Sequence, residues 1–213
     1  MPKIVDPRER RAAVAEAVLR VAMREGVENA SLRKVADEAG LAIGSVRHYF
    51  TDHDELMLFT MRELSARIER RVRAHVDRLT SPDLKSERRA QAEALLTEFL
   101  PMDEVRRVES VVWQAFVTAA RTRPSLRPVV AESQATTRHL LVMVLRGARE
   151  EGAWGAGEDI ELEALRLHSL LDGLTVQAMA DPESVTPDVL LRVLRRHVDT
   201  LRSPAAAVGA PRN

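Results

Sequence analysis

Apolar residues recur at helical spacing through most of the chain, and the alternation typical of strands is nearly absent. In the first such run Val14, Val18 and Val21 are three or four positions apart, which places them on one face of a helix. The positions between them are rich in Ala, Leu, Arg and Glu, which favour helix. The pattern therefore predicts an all-α protein.

Glycines and prolines divide this pattern into about nine helices, with predicted spans 7–25, 31–39, 43–49, 53–79, 83–99, 103–122, 125–151, 158–180 and 187–202. The first three helices are confined to about fifty residues, and two of them are short. The later helices are long and closely connected. We therefore predict a three-helix domain at 1–50, a larger helical bundle at 51–203 and a disordered tail at 204–213.

The segment SLRKVADEAGLAIGSVRHYF, residues 31–50, carries the most specific signal. Ser31 suits an N-cap, and Gly40 stands where a helix must end. A second short helix, Ile43 to Tyr49, follows at once. A helix, a tight glycine turn and a second helix form the unit that places its second helix in the major groove of DNA.

The second helix of this motif has a predicted inner and outer face. The apolar residues Ile43, Val46 and Phe50 are predicted to face the domain core. Arg47 then points outward, where a guanidinium group can donate to O6 and N7 of guanine. Tyr49 is suited to a phosphate contact. On spacing alone, however, the same motif is also compatible with a packing unit that never meets DNA.

The motif resembles the DNA-binding domain of TetR-type regulators. The matching residues are Ser31, Leu32, Val35, Ala36, Ala39, Gly40, Leu41, Gly44, Val46, Tyr49, Phe50 and Leu56. Residues 112–128, and Asp172-Gly173-Leu174 with Asp181-Pro182, are similar to BetI-like C-terminal regions. The resemblance implies a sequence-specific homodimeric repressor that a small molecule releases from a palindromic operator.

Three residues depart from the family pattern. Ala42 replaces the usual Ser or Thr cap, Arg47 replaces a common aromatic residue, and His53 replaces a Lys that binds phosphate. A neutral histidine implies a weaker or pH-sensitive phosphate contact. The predicted DNA-binding residues are Ser31, Leu32, Arg33, Ala42, Ile43, Gly44, Ser45, Arg47, His48, Tyr49 and His53.

The long-helix region holds most of the large side chains, which either fill an ordinary core or line a ligand cavity. The predicted ligand-binding residues are Phe99, Val112, Trp113, Phe116, His139, Leu140 and Met143, with Gln114 and Arg138 as possible polar contacts. His168 and Asp172, one helical turn apart, either pair locally or serve at an interface.

The last two helices, 159–180 and 187–201, carry more apolar surface than one side of a bundle needs. We predict that they form the dimer interface through Leu162, Leu165, Leu170, Leu174, Val189, Leu190, Val193, Leu194, Val198 and Leu201.

Composition narrows the function further. Lys and Arg total 32 and Asp and Glu total 32, so the net charge is 0 and any DNA contact depends on a local basic patch. Aromatic residues make up only 3%, which disfavours stacking on single strands. The sequence has no metal-ligand cluster, phosphate-binding loop or nucleophile motif. We therefore expect no enzyme activity, metal or cofactor; a helical enzyme and a helical interaction module remain as alternatives.

The location of the protein is inferred from what the sequence lacks. There is no cysteine, no apolar run of the roughly 20 residues that span a bilayer, and no signal-peptide pattern at the start. We expect a cytoplasmic protein without a membrane partner. The basic residues Lys3, Arg8, Arg10 and Arg11 form either a solubilising arm or an arm that contacts DNA.

Overall fold

The computed structural model describes residues 7–81, 87–152 and 159–201, and every regular element within these ranges is helical. The α-helices are α1 (Pro7–Glu25), α2 (Leu32–Glu38), α3 (Ile43–Tyr49), α4 (His53–Thr80), α5 (Arg88–Thr97), α6 (Glu104–Ala119), α7 (Arg127–Glu150), α8 (Ile160–Ala180) and α9 (Pro187–Thr200). Short 3₁₀ helices lie at Val27–Asn29 and Pro124–Leu126. The all-α prediction is confirmed. The predicted helix starts at 83 and 158, the predicted helix end at 202 and the tail at 204–213 lie outside the described residues.

Cα packing divides the chain into two compact units. Unit 1 comprises Met1–Arg71 and Glu104–Glu132, and unit 2 comprises Val72–Asp103 and Ser133–Asn213. The chain therefore passes from one unit to the other within α4, at the start of α6 and within α7. The functional division into a DNA-binding domain at 1–50 and a ligand-binding and dimerisation domain at 51–203 stays a prediction.

A single hydrophobic core holds unit 1 together. Val18 from α1, Val46 from α3 and Phe116 from α6 are fully buried in the same cluster, together with Phe50. The three N-terminal helices consequently share their core with α6, which follows about fifty residues later in the sequence.

Ion pairs link α4 to other helices of unit 1. Arg67 pairs with Glu16 of α1, and Arg71 binds Glu109 of α6 through two hydrogen bonds of 3.2 and 2.6 Å. Glu109 is only 5% exposed. A buried carboxylate of this kind requires its charged partner, so Arg71 fixes α6 against α4.

Unit 2 packs α5, α7, α8 and α9 around buried leucines. Arg195 of α9 binds Glu93 of α5 through three hydrogen bonds of 2.7 to 3.0 Å. The Thr175 hydroxyl of α8 donates to the carbonyl oxygen of Phe99 over 3.3 Å. These contacts connect the last two helices to the start of the unit. None of the helices described is both long and apolar enough to cross a membrane.

Candidate nucleic-acid interface

The turn between α2 and α3 is built from local interactions that the sequence encodes. The Ser31 hydroxyl accepts a hydrogen bond from the backbone N–H of Lys34 over 3.3 Å, which caps α2. Gly40 has φ +65°, and the N–H of Leu41 reaches the carbonyl of Ala36 over 2.9 Å. This arrangement ends α2 abruptly and turns the chain into α3.

The inner face of α3 is shorter than the sequence predicted. Val46 and Phe50 are fully buried, whereas Ile43 is 36% exposed. The assignment of Ile43 to the core is therefore wrong. Ile43 is the first residue of α3, three positions before Val46, and a helix turns about 100° per residue. Its side chain thus lies about 60° from that of Val46, at the exposed end of the helix.

The outer face of α3 is open to solvent. Gly44, Ser45, Arg47 and His48 are exposed, and a Cβ atom added at Gly44 would meet nothing within 4 Å. Tyr49 is partly buried against the unit 1 core, and its ring meets the edge of His48 at a centroid distance of 5.3 Å. The backbone of α3 is therefore accessible from this side.

Most basic side chains near the motif already have acidic partners. Arg20 and Arg24 of α1 bind Glu38, at 2.7 and 2.9 Å. The bond from Arg20 is the main reason that the pKa of Glu38 lies below its usual value. Lys34 is 2.7 Å from Glu25. These pairs leave fewer positive charges for a phosphate backbone than the sequence suggests.

Arg33 and Arg47 differ from these paired residues. Both are exposed, and neither has an ion pair or hydrogen bond within residues 7–81, 87–152 and 159–201. Leu32, also predicted to contact DNA, is half-buried and packs against the unit 1 core. Ala42 is exposed and, as expected for alanine, gives α3 no side-chain cap.

The connection from α3 to α4 is fixed by a capping arrangement. Asp52 accepts a hydrogen bond from the N–H of Glu55 over 2.8 Å. The Glu55 carboxylate accepts from the N–H of Thr51 over 2.7 Å and from its hydroxyl over 2.9 Å. These bonds, the backbone one first, lower the pKa of Glu55. The three-residue connection is thereby tied to the first turn of α4.

His53, the first residue of α4, is half-buried and has an internal partner. Its Nδ1 atom lies 3.0 Å from Nη1 of Arg123, which follows α6. Beside it Asp54 accepts a hydrogen bond from the Ser125 hydroxyl over 2.7 Å. The predicted phosphate contact of His53 is not tested by this geometry and stays a prediction.

Arg11 does not belong to a free arm. It lies within α1, and its guanidinium carbon is 5.2 Å from the ring centre of Phe50 and 4.9 Å from that of Phe59. Such distances allow cation–π attraction. Arg11 therefore covers the end of α3. Arg10 also belongs to α1, and Lys3 lies outside the described residues.

The predicted ligand-binding residues divide between the two units. Val112, Trp113 and Phe116 lie in or against the core of unit 1. The others belong to unit 2. There Leu140 is buried, Phe99 is partly buried, and His139 and Met143 are exposed. Their common role stays a prediction.

The predicted interface residues also fall into different classes. Leu190 and Leu194 are fully buried within unit 2. Leu162 and Leu165 of α8 and Val193 of α9 are exposed, and the rest of the predicted set is partly buried. On α8 the ring of His168 is buried, with Nε2 3.9 Å from Asp172. Burial lowers the pKa of His168 and raises that of Asp172.

The sequence reading missed two groups of residues at this site. Asp52 and Glu55 have the spacing of a capping box, so a closer reading would have found them. Arg123 and Ser125 follow their partners by 70 and 71 positions, and no local signal connects them to α4.

An exposed α3 is held across a glycine turn, and the arginine on its outer face has no ion pair in the part of the chain that the structure describes. These features define a helix-turn-helix DNA-binding protein. Two family models match the chain: "Bacterial regulatory proteins, tetR family" at residues 14–58 and "BetI-type transcriptional repressor, C-terminal" at 88–203. The chain therefore belongs to the TetR family of transcription regulators, whose members are not enzymes.

Individual relatives agree over nearly the full length. The chain is 34% identical over 201 residues to the HTH-type transcriptional regulator PksA of Bacillus subtilis, covering 94% of each protein. A solved transcriptional regulator of Pseudomonas aeruginosa PAO1 is 30% identical with a TM-score of 0.78, covering 96% of this chain and 95% of that one. The multidrug binding protein EbrR, solved with imidazole, is 27% identical with a TM-score of 0.62, covering 96% of both chains.

Proposed function

We propose that this chain is a repressor that binds a two-fold symmetric operator as a homodimer and is released by a small molecule. The observation that carries the proposal is the outer face of α3, where Arg47 is exposed and has no internal partner in the described ranges. The paired residues Arg20, Arg24 and Lys34 would have to give up their carboxylates to bind DNA. Arg47 can bind DNA without first breaking an ion pair within the described ranges.

The remaining DNA contacts follow from position on the motif. Ser45 and His48 share the exposed face of α3 with Arg47, and bare Gly44 admits a base edge or a thymine methyl group. Arg33 of α2 and Ser31 at its cap are suited to phosphate. Arg47 is assigned to guanine.

Selection from a random duplex pool tests this assignment. Sequencing of the bound duplexes should give a motif with dyad symmetry. Arg47→Ala should lose about 1–3 kcal/mol of binding and relax the preference at one base of each half-site. Arg146→Ala, an exposed substitution on α7, is the matched control. An equal loss of affinity for all duplex sequences would make Arg47 a phosphate contact. If no sequence motif is enriched among the bound duplexes, sequence-specific DNA recognition is contradicted.

The proposed dimer uses α8 and α9. Leu162, Leu165 and Val176 are 60%, 41% and 44% exposed at roughly helical spacing on α8, and Val193 of α9 is 37% exposed. A Cβ atom at Gly173 would meet nothing within 4 Å, so a partner helix can approach closely. A second copy of these helices would cover the apolar face. A two-fold symmetric operator requires two α3 helices about 34 Å apart, one turn of DNA, and a homodimer supplies the second one.

Sedimentation tests the dimer. Leu165→Glu should give a monomer that retains its helical circular dichroism but loses tight operator binding. Val105→Glu, at a 62% exposed apolar position on α6, is the control and should stay dimeric. A dimeric Leu165→Glu protein would place the interface elsewhere.

The proposed effector is a small organic molecule that contacts Trp113, and the relative EbrR holds imidazole. Trp113 and Trp154 are the two tryptophans of the sequence, so all tryptophan fluorescence of a Trp154→Phe variant comes from Trp113. Molecules that change this fluorescence, imidazole included, should raise the melting temperature and release the operator. Ligands that stabilise the protein without altering operator binding would contradict the switch.

A further inference from the structure

Four side chains join the first turn of α4 to the segment that follows α6. Nδ1 of His53 lies 3.0 Å from Nη1 of Arg123. The Asp54 carboxylate accepts the Ser125 hydroxyl over 2.7 Å and lies 3.8 Å from Arg123. We call His53, Asp54, Arg123 and Ser125 the α4 clamp.

We propose that Arg123 is a positioning residue for DNA binding, which holds the exit of α3 through His53 only while that ring is neutral. The proposal rests on the proposed function, because its consequence is a change in operator affinity. It gives His53 a role that acts through Arg123 and not on a phosphate.

The protonation state of His53 follows from the geometry of its contact. A guanidinium group donates hydrogen bonds and cannot accept them. Nδ1 of His53 must therefore be the acceptor, and the neutral ring carries its proton on Nε2. Protonation of Nδ1 would set an N–H against the N–H of Arg123 and place two positive charges side by side. The hydrogen bond and a protonated ring thus exclude each other.

The groups that face His53 have opposing effects on its charge. Burial and the positive charge of Arg123 lower the pKa of His53, in that order. Asp54, Asp52 and the carbonyl of Ala30 favour a protonated ring but are the smaller influences. Nε2 is buried and makes no hydrogen bond of good geometry within the part of the chain that the structure describes. The net direction keeps the ring neutral at neutral pH, and the ring takes up a proton only at a pH below the usual range of a histidine.

The effect reaches α3 through a short and rigid connection. Phe50, Thr51 and Asp52 are the only residues between α3 and His53. Phe50 is fully buried, and Thr51 is bound by Glu55 at 2.7 and 2.9 Å. This connection leaves little slack, so a displaced first turn of α4 displaces the end of α3. Base contacts made by α3 are sensitive to small displacements.

Operator binding measured from pH 7.5 down to about pH 5 tests the proposal, because the lowered pKa of His53 moves its protonation to the acid side of the usual histidine range. His53→Asn keeps an acceptor for Arg123 but cannot take a proton. Wild type should lose roughly tenfold more affinity than His53→Asn on acidification, the scale of one charge-assisted hydrogen bond. Ser125→Ala is the matched control, because it removes a neighbouring hydrogen bond to Asp54 but keeps the contact between His53 and Arg123, and it should lose as much affinity as wild type.

Imidazole NMR of the free protein supplies a readout without DNA. Arg123→Gln should move the titration of His53 to higher pH. It should also remove the part of the acid-induced loss of operator affinity that depends on His53, whereas Ser125→Ala should leave that part unchanged. Equal pH profiles for wild type and His53→Asn, or a His53 titration unmoved by Arg123→Gln, would overturn the proposal. If the operator is bound tightly at pH 7.5 but the pH profiles are equal, only the role of Arg123 is contradicted. If no variant binds any operator specifically, the proposed function is contradicted as well.

Discussion

Arg71 of α4 and Glu109 of α6 form a bidentate ion pair in unit 1, with hydrogen bonds of 3.2 and 2.6 Å. The carboxylate is 5% exposed. The pair therefore joins two helices that lie far apart in the sequence, and its two members are not equivalent, because Arg71 retains more contact with water.

Removal of Arg71 should cost more than neutralisation of Glu109. Arg71→Ala leaves a buried carboxylate without its partner, and we expect a loss of roughly 2–3 kcal/mol of unfolding free energy, at or below the usual range for a buried pair. Glu109→Gln removes the charge and should lose less. Urea unfolding at pH 7 measures both, and a larger loss for Glu109→Gln would contradict this ranking.

Glu55 should stabilise the protein in a pH-dependent manner. Hydrogen bonds from Thr51 lower the pKa of Glu55 in the folded state, so its contribution is present above the unfolded pKa and is lost as the pH falls through the folded pKa. Glu55→Gln should cost less than about 1 kcal/mol near neutral pH, because the carboxylate is exposed. The difference between the two proteins in urea should shrink as the pH falls below the usual range of a glutamate, where the Glu55 carboxylate takes up a proton in the folded state. A constant difference would mean that the charge has no part in the cap.

The two glycines of the motif should respond oppositely to alanine. Gly40 has φ +65°, a region that costs other residues about 1–2 kcal/mol, so Gly40→Ala should lower stability by that amount. Gly44 lies within α3 with open space around it, and Gly44→Ala should raise stability by up to about 1 kcal/mol. Gly44→Ala should nevertheless weaken operator binding, because the methyl group occupies the surface that approaches DNA. Thermal unfolding and duplex binding separate the two effects.

A serine at the start of α3 should stabilise that helix. Ala42 makes no side-chain cap bond, and a good N-cap is worth about 1 kcal/mol. Ala42→Ser should therefore slow hydrogen exchange of the α3 amides and raise the melting temperature. Ser31→Ala, which removes an existing cap from α2, is the opposite control. Unchanged exchange in α3 would show that its start is held by packing alone.

Local signals predicted the helices and the turn well. Ser31, Gly40 and the apolar periodicity act over three or four residues, and the structure places them as the sequence indicated. Ile43 was assigned wrongly because periodicity marks a face but does not show where the neighbouring helices end.

Contacts between distant residues were beyond such reasoning. His53 was recognised as unusual, yet its partner Arg123 lies 70 positions away. The large side chains of α6 and α7 were grouped as one ligand site because all are apolar or aromatic. The apolar or aromatic character of a side chain does not show which compact unit it belongs to. Val112 belongs to unit 1 and Leu140 to unit 2.

Because unit 1 draws its core from residues before 71 and again from 104–132, the DNA-reading part of this protein is not a detachable module. A recombinant hybrid that joined its first fifty residues to the remainder of another regulator would pair Val18, Val46 and Phe50 with a foreign α6 in place of Phe116. Exchange of operator preference between relatives is therefore better made by grafting the exposed residues of α3 than by swapping whole segments. Because the core is shared, substitutions in α6 also limit which sequences α3 can accept during evolution.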